Sequence, residues 1–253
     1  MNVLVVDVGG THVKILATGE TTPRKIVSGP ELTARDMVAA VLKLAADWNY
    51  DVVSIGYPAP VIHGRPLHEP FNLGSGWMAF NFAKAFGKPV KMINDAAMQA
   101  LGSYEKGSML FLGLGTGLGS AMVVDGRIEP MELAHLPYRK ATYEDYVGLR
   151  GLKRYGKKKW RDYVDDVVER LTAALEPDQV VIGGGNAKLL KKLPTHCRMV
   201  PNSNAFVGGF RLWQDAEISA MNYDAASTPA STATAKANGS ALKKAGKRQG
   251  ASA

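Results

Sequence analysis

Four short stretches of the chain carry residue types that could do chemistry. The first, VVDVGGTHVK, follows an apolar run with Asp7, Gly9, Gly10 and Thr11. Glycines there let backbone N–H groups approach an anion, Thr11 adds a hydroxyl, and Asp7 could hold a metal ion beside a phosphate. An ordinary β-hairpin turn explains the same Gly-Gly equally well. The second stretch, LFLGLGTGLGSAMV, again sets a glycine-threonine turn, Gly115, Thr116 and Gly117, between two apolar runs. The third, VVIGGGNAK, places Gly184 and Gly185 after a strand-like run, where either a nucleotide site or a plain turn would use them. The fourth, MINDAAMQA, puts Asn94 and Asp95 at the head of a helical pattern, where Asp95 reads most simply as an N-cap.

Better-known phosphate motifs do not fit these runs. No Gly-Lys-Ser or Gly-Lys-Thr occurs, which removes the Walker loop. The glycines at 113, 115, 117 and 119 alternate strictly and fail the spacing of the dinucleotide fingerprint.

The elements that would position these residues follow from periodicity. NVLVVDV and VKILAT read as paired strands, and Thr33 caps a helix through ARDMVAAVLKLAADW. VVSIGYP is a strand, and a long Gly- and Pro-rich segment leads to a short helix at AFNFAKAF. PVKMIND and AAMQALGSYE form a strand and helix, SMLFLGLGTGLGSAMVVDGRIE a second hairpin, and residues 142–175 a mainly helical, basic region. DQVVIGGGNAKLL reads as strand, turn and helix, and SNAFVGGFRLW as a final helix. The two glycine-threonine hairpins, about a hundred residues apart, amount to a near-repeat, so two α/β halves facing each other would set both turns beside one cleft.

Composition narrows the function classes. With 253 residues, 46% hydrophobic and 21% charged, the chain is of globular type. No apolar run approaches the roughly 20 residues of a membrane span, and no signal peptide is expected, since no basic region precedes the first apolar stretch. Cys197 is the single cysteine, which excludes an internal disulfide; a cytoplasmic location is the default expectation. The net charge of +8 does not make a nucleic-acid binder, because +4 of it lies beyond residue 221, in a stretch almost without large apolar residues. A basic run, LKRYGKKKWRDY, places Lys153, Lys157 and Arg161 at i, i+4 and i+8 of one helix. A solvated face explains it, and a track for a long polyanion is the alternative. Specific nucleic acid and membrane partners are not expected, and a homodimer is compatible with the sequence.

Three glycine turns after strands, with an acid in the first, are the set expected of actin-like and sugar-kinase ATPases. DVGGTHVK, MINDAAMQA, GLGTGLG and MELAHLPY, in that order, resemble the phosphate, Asn-Asp-Ala and Glu-x-x-His motifs of the ROK family of sugar kinases, and the likeness runs from about residue 3 to 213. It implies a two-domain actin-like (ribonuclease H-like) α/β fold: residues 1–94 with about 204–218 as one domain and 95–203 as the second, while composition alone makes 219–253 a disordered basic tail. It implies Asp95 as the general base on a sugar hydroxyl, the 6-hydroxyl of glucose being favoured. Asn94, Glu132, His135 and, one step further, Glu144 would bind the sugar. Asp7 would hold Mg²⁺, and the three glycine turns would hold ATP or polyphosphate. KATYEDYVG lacks the cysteine cluster of the zinc-bearing members, so no zinc is expected. A repressor role is not expected, because Asp7 sits too near the start for the winged helix of the family's repressors. A kinase for another sugar, a type III pantothenate kinase and a non-catalytic sugar sensor remain as alternatives, and an intact Asp95 speaks against the last.

Overall fold

The computed structural model describes residues 1–214. The expected tail lies outside them. The chain begins with β1 (Val3–Val8), β2 (His12–Ala17) and β3 (Arg24–Val27), followed by α1 (Ala34–Leu44) and β4 (Val52–Tyr57). A ribbon of β5 (Val61–Ile62) and β6 (Arg65–Pro66) precedes α2 (Phe82–Phe86), β7 (Val90–Asn94) and α3 (Asp95–Ser103). Next come β8 (Ser108–Leu114), β9 (Leu118–Val124) and β10 (Arg127–Met131), the ribbon β11 (Pro137–Tyr138) and β12 (Ala141–Thr142), and α4 (Tyr143–Val147). The helical run α5 (Leu149–Leu175), β13 (Gln179–Gly183), β14 (Cys197–Met199) and α6 (Asn204–Arg211) complete it.

Two five-stranded mixed sheets result, in the orders β3-β2-β1-β4-β7 and β10-β9-β8-β13-β14. Both are built around an antiparallel hairpin whose first strand pairs in parallel with a later one, β1 with β4 and β8 with β13. This is the two-sheet actin-like α/β arrangement expected from the sequence. The outer face of the first sheet is covered by α1 and α2, with Met37, Val41, Trp77 and Phe82 buried against Val6 and Ile55. The outer face of the second is covered by α5, through Trp160, Val164, Val167 and Leu171. Each buried aliphatic side chain of this kind contributes about 1.5–3 kcal/mol.

Between the sheets lie α3 and α6, in one core with Val5, Phe111, Ala121 and Val181. Their backbones touch because both contact positions are glycine: a Cβ on Gly102 would stand 1.8 Å from the Asn204 carbonyl oxygen, and one on Gly208 equally close to that of Met98. Buried Ser54 ties α6 to the first sheet, donating to the Gly209 carbonyl at 2.6 Å and accepting from the Trp213 indole at 2.9 Å. Among the described residues, no helix is long and apolar enough to cross a membrane.

Three local readings change. GGGNAKLL makes only a 3₁₀ turn at Ala187–Leu189, because Gly184 takes a left-handed backbone (φ +86°) and no amphipathic stripe follows. The short edge strand β3 has no counterpart in the sequence reading. The basic helix is broken at Gly156 (φ +72°, ψ 163°), so Lys153 does not share one continuous line with Lys157 and Arg161.

Candidate active site

The residues singled out from the sequence converge on a cavity of about 690 Å³ between the two sheets. Gly9 and Gly10 form one lip, Gly115, Thr116 and Gly117 the other, and Asp7 and Asp95 lie on the lining between them. Asn94, Glu132, His135, Glu144 and Gly184 also line it. Thr11 and Gly185 do not. Thr11 sits exposed at the outer corner of its turn, where its carbonyl accepts from Ser28 N at 3.1 Å, and Gly185 is on the exposed side of Gly184.

The hairpin and phosphate readings of the first motif are compatible. Residues 9–12 close the β1–β2 hairpin, with Gly9 N donating to His12 O at 3.1 Å and Gly10 open to the cavity beside Asn72. The second turn is tighter: Gly115 N donates to Gly117 O at 3.2 Å, and Asn186 holds the Gly115 carbonyl at 2.9 Å. A Cβ on Gly117 would lie 2.5 Å from a Glu144 carboxylate oxygen, so a side chain there would push Glu144 aside.

Asp95 is not the N-cap. Asn94 is: its Oδ1 accepts from Ala97 N at 3.1 Å, while its Nδ2 donates to the Ala59 carbonyl at 3.3 Å. Asp95 is thereby set as the first helical residue, its Oδ1 accepting from Ala96 N at 2.7 Å. Burial pushes its pKa up to about 7, the charge of Asp7 adding to the rise, the Ala96 hydrogen bond opposing it and Glu132 adding a little more. A carboxyl group so poised is suited to accept a proton near neutral pH.

Asp7 projects from β1 with its side chain 17% exposed and its Oδ2 3.6 Å from the Lys14 ammonium, directly across the hairpin. Burial raises its pKa and Lys14 lowers it. A hard carboxylate oxygen beside a phosphate lip suits Mg²⁺, which takes one or two protein carboxylates and completes its shell with phosphate and water. Among the described residues no group of three or more His, Cys, Asp or Glu side chains gathers to hold a metal on its own.

Glu132 and His135 flank a 3₁₀ turn, His135 Nε2 lying 3.7 Å from Glu132 Oε2. Burial raises the Glu132 pKa, with His135 opposing and Glu144 reinforcing. The segment that carries them is pinned from below. Tyr138, 5% exposed, donates its hydroxyl to Asp166 on α5 and packs edge-on against Tyr146.

Several lining residues escaped the sequence reading. Lys14 could have been found from strand alternation, as the cross-strand partner of Asp7. Glu69 and Asn72 lie in the Gly- and Pro-rich segment, where no periodicity marks them; Glu69 is held by Trp77 N at 2.9 Å and Met78 N at 3.3 Å. Arg150 lines the cavity from the start of α5 and pairs with Asp145.

No family model matches the chain. Its sequence is 24% identical over 209 residues to the polyphosphate glucokinase of Mycobacterium tuberculosis, an alignment covering 74% of this chain and 78% of that protein. The inorganic polyphosphate/ATP-glucomannokinase of Arthrobacter sp. strain KM has the same fold, with a TM-score of 0.72 at 23% identity over 87% of this chain and 98% of that one. The chain is similar in sequence and fold to sugar kinases of the ROK family. A ROK family glucokinase from Streptomyces griseus, solved with glucose and AMPPNP, matches with a TM-score of 0.66 at 16% identity, over 84% and 99% of the two chains. The four motifs quoted from the sequence for that family meet at this cavity, with Thr11 of the first facing outward.

Proposed function

We propose that this chain transfers a phosphoryl group from polyphosphate or ATP to the 6-hydroxyl of glucose. Phosphotransfer to an alcohol acceptor is the reaction class of the sugar kinases to which it is similar; the sugar, its hydroxyl and the base are our reading. The observation that carries it is the placing of Asp95, its pKa raised to about 7, on a cavity bounded by two glycine lips. A sugar hydroxyl is a weak nucleophile, and a carboxylate within reach accepts its proton as the phosphoryl group moves. Asn94, Glu132, His135 and Glu144 would orient the hydroxyls. The N–H groups at 9–10, 115–117 and 184 would grip phosphate oxygens, the rest of the transfer being positioning and charge stabilisation. Mg²⁺ held by Asp7 would neutralise phosphate charge.

We also divide the chain into a domain of residues 1–94 with about 204–218 and a second of 95–203, closing over the substrates to expel water. The separate outer cores of the two sheets support this division. A cytoplasmic setting is part of the same reading.

Purified protein given glucose, Mg²⁺ and either ATP or polyphosphate should form sugar phosphate. The variant Asp95→Asn should bind glucose with unchanged affinity while turnover drops by about 10²–10⁴-fold. Undiminished turnover would remove Asp95 as the base, and loss of glucose binding would make its role structural.

A further inference from the structure

The glycine lip at 115–117 is joined directly to a strongly basic segment, residues 149–161. Leu149 N donates to the Thr116 carbonyl at 3.0 Å, and Gly148 packs so closely on this turn that a Cβ would meet the Thr116 oxygen at 2.9 Å. From that junction, residues 149–161 carry seven bases and no acid, whereas residues 162–176 carry five acids and one base. This order is the reverse of what helix stability favours, which is acids in the first turn and bases in the last. Helix formation therefore does not account for it.

Nor do ion pairs. Lys153, Lys157 and Lys158 are exposed and have no acidic partner within ion-pair distance among the described residues, while Arg154 lies over the Tyr155 ring at 5.3 Å. Arg161, donating to the Leu189 carbonyl at 2.7 Å, brings the segment with exposed Lys188 and Lys191 alongside. The break at Gly156 turns the run without ending it. Arg150, three and four residues ahead of Lys153 and Arg154, is the member that lines the cavity.

We propose that this surface is a track for the non-reacting length of a polyphosphate donor, which leaves the cavity at the 115–117 lip and runs over Lys153, Lys157 and Lys158. The inference rests on the phosphotransfer reading for the site itself. It goes beyond that reading in assigning the chain-length preference to residues outside the cavity. ATP and tripolyphosphate would lie within the cavity, whose lining includes Arg150 and none of these lysines.

The test is the triple variant Lys153→Gln/Lys157→Gln/Lys158→Gln, assayed with ATP, tripolyphosphate and long-chain polyphosphate, with direct calorimetric titration of each polyphosphate. The KM and dissociation constant for long-chain polyphosphate should rise about tenfold and lose part of their salt dependence, while the values for ATP and tripolyphosphate stay unchanged. Equal affinity of wild type and variant for the long chain would overturn the proposal. So would single-stranded RNA displacing the long chain equally well at matched phosphate concentration, since the surface would then be a general polyanion site. Wild-type binding of the long chain that the variant loses, without turnover by either protein, would support the track while overturning polyphosphate as the donor.

Discussion

The two glycine hairpins share a strand plan, with turns at residues 9–12 and 115–117, and the contrast between them is sharpest at one matched pair of positions. In the first, the pair next to the turn-closing residues is Asp7 opposite Lys14; in the second it is Gly113 opposite Gly119. The difference has a steric cause. A Cβ on Gly119 would lie 2.8 Å from that of Ala96, because the start of α3 packs on this hairpin, whereas Gly10 on the first turn meets only Asn72 at 3.4 Å. One lip is open enough to present a carboxylate and its counter-ion. The other gives up its side chains so that the helix carrying Asp95 can lie against it. The repeat thus supplies a glycine turn twice, with Asp7, the proposed Mg²⁺ ligand, added to one copy and the helix carrying the proposed base docked on the other.

This contrast can be broken at either lip. Asp7→Ala should lower turnover by about 10²–10³-fold, a loss that added Mg²⁺ does not restore, read in steady-state assays across metal concentrations. Asp95→Asn should act on stability in the opposite sense to its effect on turnover. The folded-state pKa of Asp95, about 7, lies above that of an unfolded aspartate, so wild-type stability declines as pH rises from about 4 through 7. The variant should lack this decline, and denaturant titrations at several pH values should show its advantage growing towards neutral pH. Gly119→Ala, which drives a methyl group at Ala96, should cost about 1–3 kcal/mol and lower turnover, while Gly10→Ala stays within about 0.5 kcal/mol. The smallest effect is expected from Tyr138→Phe, which removes only the hydroxyl bonded to Asp166. A loss of about 1 kcal/mol should accompany a raised KM for sugar and an unchanged KM for donor.

Much of this arrangement was legible in the sequence because apolar runs mark buried strands whatever lies around them. VLVVDV, VVSIGY and SMLFLGL are the central strands of the two sheets, and Thr33 caps α1 as expected, accepting from Asp36 N at 3.2 Å. The edge strand β3 was illegible because RKIV buries none of its side chains fully, leaving little apolar signal. The break in α5 was illegible because glycine inside a helical pattern is tolerated, and only the fold shows Gly156 at φ +72°. In the site, acids next to glycines or at a helix start announced themselves. Glu69 and Asn72 did not, since they reach the cavity on a segment without period. The division of labour between Asn94 as cap and Asp95 as cavity acid needed hydrogen-bond geometry, because both residue types cap helices well.

The central claim is that Asp95 titrates near neutral pH on the cavity between the lips and takes the sugar proton there. The most direct measurement is the pH dependence of kcat/KM for glucose at saturating donor, in the wild type and in Asp95→Asn. The account predicts a wild-type limb rising through an apparent pKa of about 7, missing from the residual activity of the variant. A limb at the ordinary carboxylate value of about 4, or one that persists unchanged in the variant, would contradict it.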